Sequence, residues 1–259
     1  MPDENDSSLL SRDWPEIVRK IRARTPARLL VGRVGAAYLT RTQMDLRDAH
    51  AAARDAVRAE LDLTTDFPAG VVETWKLFEV CSQAGSKYEY LLRPDQGRHF
   101  SDASRTELKN RCPSGCRLQI AIGDGLSVTA VSAQVPALLP LLCEGAAARG
   151  WSVGQSFVIR HCRVGILNEI GELLAPDVAV LLIGERPGLA TAESLSAYMA
   201  YRSRESHTDA NRNLISNIHS RGVRPKDAAP RILNFAGQMM KAGSSGCQLR
   251  EDLPVLGQK

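Results

Sequence analysis

The sequence predicts an α/β protein: a mainly parallel sheet flanked by helices, preceded by a smaller helical region. Three observations carry that prediction. Val178-Ala-Val-Leu-Leu-Ile183 is an unbroken apolar run, the composition of a strand covered on both faces. It stops at Gly184-Glu-Arg-Pro-Gly188, which cannot continue a strand and forms a tight loop at its carboxyl end. A second apolar segment ends the same way, Ile122-Gly-Asp124 against Ile183-Gly-Glu185, and helical segments alternate with the strands. The pattern is Rossmann-like. In such sheets ligands bind outside the carboxyl ends of the strands, so the loops 123–127 and 184–188 are expected as two lips of one crevice.

With 259 residues, 44% hydrophobic and 24% charged, the chain has enough material for one large domain or two unequal ones. The expected organisation is a flexible or helical segment over 1–25, a mostly helical region over 26–112 and the Rossmann-like region over 113–250. Thirty-three basic residues against 29 acidic ones, with no basic block interleaved with aromatics, argue against a nucleic-acid partner. The six cysteines are scattered. The only close pair, Cys112 and Cys116, is separated by three residues rather than the two of a zinc or thioredoxin motif, so reduced cytosolic thiols are expected. The acidic start Met1-Pro-Asp-Glu lacks the pattern of a signal peptide. No apolar run approaches the roughly 20 residues of a membrane span. A cytoplasmic protein without membrane attachment follows as the expectation.

In chain order, Trp14, Ile17, Val18 and Ile21 have the spacing of an amphipathic helix, with Pro15 in its first turn. Arg19, Lys20, Arg22, Arg24 and Arg28 form a basic cluster that reads as a solvated face. Leu29 to Gly35 is a short apolar segment broken by two glycines. Thr42 is placed to cap a helix over 43–61, with Met44, Ala49, Ala52, Ala53, Ala56 and Val57 as a small-residue packing face. His50 has no second ligand type at i+4 and reads as a packed or hydrogen-bonded histidine. A strand is expected over 77–82, a charged turn over 93–98 and a helix over 102–111. Then come a strand over 118–122, helical material from Ala130 with a fresh start at Val135-Pro136, a strand over 156–165 and a helix over 167–174. After the strand at 178–183, residues 194–200 read as helix and 202–209 as a polar connection. The segment 209–219 holds Asn211, Asn213 and Asn217, read either as capping and turn chemistry or as ligand recognition. A helix over 228–241 ends the body, stopped by Gly243.

No self-contained catalytic set is visible. Gly125-Leu-Ser127-Val-Thr129 lacks the last glycine of a nucleophile elbow, the histidines have no metal-ligand spacing, and there is no Walker A sequence. Gly123-Asp-Gly125 falls short of a dinucleotide fingerprint because position 128 is Val. Asp124 and Glu185 are either paired carboxylates for acid–base work, acceptors for a ligand, or partners of Arg163 and Arg186. The residues describe a crevice with acceptors and no nucleophile, metal or base: a binding half-site.

Several segments resemble the small (light) subunit of ethanolamine ammonia-lyase. They include Arg41-Thr-Gln43, Asp48-Ala-His-Ala-Ala-Ala-Arg-Asp55, Arg93-Pro-Asp-Gln-Gly-Arg98 and Gly123-Asp-Gly-Leu-Ser127. They continue with Arg163-Val164, Glu169-Ile-Gly-Glu172, Ile183-Gly-Glu-Arg-Pro-Gly-Leu189, Glu193-Ser-Leu195 and Ile215-Ser-Asn-Ile-His219, in the family's order. The resemblance implies an adenosylcobalamin (coenzyme B12)-dependent lyase that converts ethanolamine to acetaldehyde and ammonia by a radical mechanism. It implies a large (heavy) subunit that holds the substrate, a higher hetero-oligomer, and a small subunit that helps hold cobalamin at the interface. By the same resemblance the cobalamin contacts map to Val164, Glu185 and Leu214, with no catalytic side chain and no metal ligand in this chain. Other members carry Cys where this chain has Leu214. Some members are associated with an ethanolamine-utilisation bacterial microcompartment through a longer N-terminal extension. The short segment here points to the free cytoplasmic enzyme. Two further readings are a stand-alone Rossmann-like enzyme using a nucleotide cofactor at the Gly123 and Gly184 loops, and a subunit that supports its partner without touching cofactor.

Overall fold

The computed structural model describes residues 15–251 apart from 26, 30 and 32. Trp14 and the C-terminal tail beyond 251 lie outside these residues. The first helix among the described residues is α1 (Glu16–Arg24), with Pro15 at its cap and its basic face exposed. A two-stranded hairpin, β1 (Arg33–Val34) and β2 (Ala37–Tyr38), leads into α2 (Thr40–Arg58). That helix starts three residues earlier than Gln43 and is capped at Leu39, not Thr42. Its half-buried stripe is Leu46, Ala49, Ala53, Ala56 and Val57, while Met44 and Ala52 are exposed. His50 is exposed and its ring bonds the carbonyl of Leu46. The short helices α3 (Leu63–Asp66) and α4 (Ala69–Thr74) follow, the first capped by the Asp62 carboxylate, which accepts from Thr64 N.

The body is one six-stranded sheet, ordered β3-β5-β4-β6-β7-β8. β3 (Glu79–Cys81), β5 (Phe157–Arg160), β4 (Leu118–Gly123) and β6 (Val178–Gly184) run parallel. β7 (Leu195–Tyr201) lies antiparallel to β6, and β8 (Asn213–Ile218) antiparallel to β7. The sheet is thus α/β and mainly parallel, with an antiparallel extension on one side. Every residue of β4 and β6 is buried, as the continuous apolar run requires of a strand covered on both faces. Alternation divides their side chains. Leu118, Ile120, Ile122, Val178, Val180 and Leu182 pack into one core layer; Ala121, Ala179, Leu181 and Ile183 pack into the other.

The first layer is roofed by α7 (Val128–Ala147) and α9 (Pro225–Ala242), the second by α6 (Asp102–Arg111) and α8 (Ile166–Leu174). Between β3 and α6 lies the short helix α5 (Lys87–Leu92). Four expectations are corrected here. Residues 128–147 form one helix that runs through Pro136 and Pro140. Both prolines sit on its half-exposed side, and burial of Val131, Val135, Leu138, Leu139 and Leu142 outweighs the cost of the helical hydrogen bonds they remove. By length and composition this helix is apolar enough to cross a membrane, contrary to the reading that no segment is, yet it packs between the sheet and α9 as a core helix. The segment expected as helix over 194–200 forms strand β7. Leu195, Ala197 and Met199 point into the α7–α9 layer, and pairing to both β6 and β8 overrides the helix propensity of Leu, Ala and Met. The strand expected over 156–165 stops at Arg160, because His161 takes φ +57° and turns the chain.

Candidate functional site

The strand-end loops are built around a buried ion pair. Lys87, 5% exposed, sits at the start of α5, whose cap is the Ser86 hydroxyl accepting from Glu89 N. Its Nζ donates to Asp124 Oδ2 at 3.1 Å and to the Gly125 carbonyl at 3.1 Å. Asp124, 1% exposed, also accepts from the backbone N–H of His161 at 2.9 Å and of Cys162 at 2.8 Å. One carboxylate therefore fastens α5, the loop after β4 and the loop after β5 together. Its charged partner is Lys87, and not Arg163 or Arg186, one of the alternatives left open by the sequence. Tyr90 completes the cluster, its hydroxyl donating to the Cys162 carbonyl, while the Arg163 guanidinium stacks 4.1 Å over its ring. Burial pushes the Tyr90 hydroxyl and the Cys162 thiol far above their ordinary pKa ranges, so neither is an acid or nucleophile near neutrality.

The two glycine-bearing loops do not stand apart as lips. Leu126 N donates to the Gly184 carbonyl at 3.1 Å, and Gly125, at φ +55°, has no room for a Cβ against that same carbonyl. The base of the expected crevice is a closed seam. Between these loops and α2 lies a cavity of about 300 Å³ lined by Arg54, Val57, Leu126, Arg163 and Arg186.

Glu185 leaves β6 with its carboxylate half-buried and heavily engaged. Oε2 accepts from the Ser194 hydroxyl at 2.7 Å; Oε1 accepts from the Ser196 hydroxyl at 2.5 Å and from Asn217 N at 3.0 Å. Burial raises its pKa, but the bonds from Asn217, Ser196 and Ser194, with nearby His219, more than reverse this and hold it below the usual carboxylate range. Glu185 thus staples the ends of β6, β7 and β8 as an anion. Each carboxylate oxygen has about two acceptor sites, so one on Oε2 is left for a further donor.

Val164 lies in the turn between β5 and α8, and Leu214 lies on β8 opposite Tyr198 of β7. Val164 and Tyr198 both pack against the α6–α8 core layer. Ile215 points into the opposite layer, so Leu214 shares the Tyr198 face. Tyr198 also feels the charges of Glu185 and Arg212. Val164, Glu185 and Leu214 thus border one side of the sheet. Over β8 this side has no roof among the described residues: Leu214 is 44% exposed and Ser216 is exposed. Beside it runs a groove of about 790 Å³ along α8, lined by Arg98, Arg163, Val164, Asn168, His207 and Arg212 among others.

The asparagines resolve mostly toward structure. Asn211 closes a capping box with Thr208, and the Asn213 amide donates to the carbonyls of Gly246 and Leu249. The cysteines among the described residues are free thiols, and no His, Cys, Asp or Glu group suited to a metal ion occurs there. Sequence reasoning missed Lys87, Ser194, Ser196 and Arg212 as site residues, and read Arg163 only as a candidate partner of the carboxylates. A lysine in the short 87–92 segment carries no periodic signal for burial, and the arginines are more than 30 residues apart in sequence or sit in turns.

Comparison with known proteins gives the family. Residues 15–250 match the family model described as ethanolamine ammonia-lyase light chain (EutC). A relative from Clostridium acetobutylicum, named ethanolamine ammonia-lyase small subunit, is 39% identical over 235 residues, covering 91% of this chain and 95% of the relative. Relatives of the same name from Clostridium perfringens (38% identical, 91% of this chain and 78% of the relative) and Fusobacterium nucleatum (39%, 89% and 76%) agree.

Proposed function

The chain belongs to the ethanolamine ammonia-lyase light-chain family, and from that premise we propose that it forms one wall of an adenosylcobalamin site whose other wall is the large subunit. The observation that carries the reading is the shared border. Val164, Glu185 and Leu214, distant in sequence, flank one side of the sheet that has no helical roof over β8 among the described residues, and Val164 also lines a groove of about 790 Å³. An exposed leucine beside a half-buried tyrosine suits the apolar edge of a corrin ring, and amide groups around that ring need acceptors such as the remaining site on Glu185. Among the described residues, three buried side-chain nitrogens without partners, Arg163 Nε, Arg212 Nε and His207 Nδ1, belong to residues that line the groove, which supports a polar ligand there.

When bound, the cofactor supplies the radical that abstracts hydrogen from ethanolamine. This chain's residues bind, orient and exclude water. Glu185 holds the β6, β7 and β8 ends in register while offering an acceptor, Val164 and Leu214 give apolar contact, and the Lys87–Asp124 pair fixes the loop that carries Val164. No side chain here is assigned a proton transfer or a nucleophilic step. The test is reconstitution. The isolated chain is expected to show no lyase activity, and mixing it with the large subunit and adenosylcobalamin to restore it. Activity of this chain alone would sink the reading.

A further inference from the structure

Three arginines gather at the first turn of α8 without an adequate set of anions. Arg212 is the deepest: its side chain is only 6% exposed, yet its Nε has no hydrogen-bond partner among the described residues. Its other nitrogens donate to the Asn168 amide oxygen at 3.0 Å and to Asp209, whose carboxylate is 93% exposed and well screened by water. Arg163 has no acidic partner among the described residues. It donates to the Tyr90 carbonyl, stacks on that ring, and leaves its Nε buried and unpaired. Arg98 is exposed, its side chain makes no hydrogen bond or ion pair among the described residues, and its methylenes crowd Gly165 at the start of α8. Burial first, and then the repulsion of Arg98, hold the Arg212 guanidinium below its ordinary pKa even with Asp209 beside it.

The carboxylates along the groove do not relieve this cluster. Glu169 is taken by Arg105, the backbone N–H of Phe100 and His99. Glu172 accepts from the Glu205 backbone N–H, a turn further along α8. Three arginines lining one groove at the positive end of a nine-residue helix, with donor nitrogens unspent, suit a compact polyoxygen anion. Val164 sits in the same turn as Arg163 and lines the same groove.

We propose that Arg212, Arg163 and Arg98 bind a phosphate, and that it is the phosphodiester of the nucleotide arm of cobalamin. The assignment rests on the cobalamin reading above. Neither Val164 nor Leu214 offers a charge, so the arginine end of the groove is what distinguishes a corrinoid carrying the nucleotide arm from one lacking it.

The experiment uses the complex of this chain with its large subunit and measures corrinoid binding by equilibrium dialysis. Three ligands are compared: adenosylcobalamin, adenosylcobinamide phosphate and adenosylcobinamide, which lacks the phosphate. Arg212→Met is expected to weaken the two phosphate-bearing ligands by about 10- to 100-fold, the loss expected for a charge-assisted hydrogen bond, and adenosylcobinamide less than about 2-fold. Arg98→Gln, at an exposed position, is expected to do the same more weakly and keeps the test open if Arg212→Met fails to assemble. Equal losses for all three ligands, or none, overturn the proposal while leaving the cobalamin reading intact. Weaker assembly with unchanged corrinoid affinity overturns it too and assigns the arginines to acidic groups of the large subunit. Arg212-dependent binding of inorganic phosphate to the cobalamin-loaded complex would assign the cluster to a free anion, which also overturns it. A wild-type complex that binds no corrinoid overturns both readings.

Discussion

Replacing Lys87 by Met tests whether the buried ion pair is what holds the strand-end loops. Met keeps most of the stem's length but removes the donor to Asp124 Oδ2 and to the Gly125 carbonyl. Asp124, 1% exposed, would keep only the backbone N–H groups of His161 and Cys162. Leaving one partner of a buried pair uncompensated costs about 3–5 kcal/mol, and the two surviving donors place this case toward about 3. Asp124→Ala strands the Lys87 charge and both N–H groups, so it is expected to lose more, about 5 kcal/mol or above. Urea unfolding followed by far-ultraviolet circular dichroism measures both. A loss of about 3 kcal/mol corresponds to a Tm drop of about 6–12 °C for a chain of this size. Adding Asp124→Asn to Lys87→Met removes the stranded charge and should recover part of the loss. A Lys87→Met variant within about 1 kcal/mol of wild type, the range of a solvated surface pair, refutes the reasoning. So does strict additivity of the double variant.

Further outcomes follow from the same geometry. A Cβ at Gly184 would collide with the Ser127 carbonyl and lie 2.7 Å from that of Asp124. Gly184→Ala should therefore destabilise by about 1–3 kcal/mol through overpacking, read from the urea midpoint, and a neutral result would show that the seam yields. Glu185→Ala should weaken cobalamin binding to the assembled complex while leaving assembly intact; unchanged affinity counts against a Glu185 contact. The Glu185 pKa is lower in the folded chain than its unfolded value near 4.5, so its contribution is complete above that value. It is lost as the pH falls through the lower, folded value, and wild type should lose more stability than Glu185→Gln in an acid titration. Leu214→Glu should leave stability within about 0.5 kcal/mol, because the side chain is 44% exposed, yet weaken corrinoid binding by dialysis.

What the sequence alone determined rests on local patterns. The apolar runs of β4 and β6, the glycines that end them, and helix α6 at 102–111 are readable because composition and punctuation act over a few residues. The family is legible for the same reason, in short ordered segments such as Ile183-Gly-Glu-Arg-Pro-Gly-Leu189. Tertiary structure alone decided the rest. Residues 195–201 became strand because β6 and β8 offered hydrogen-bonding edges, and α7 ran through two prolines because its buried face outweighed their cost. Lys87 found Asp124 across 37 residues, and Glu185 found Ser194, Ser196 and Asn217. Arg98, Arg163 and Arg212 met at one turn of α8. Local sequence cannot announce such meetings, because desolvation makes a charge seek whichever partner the fold brings near.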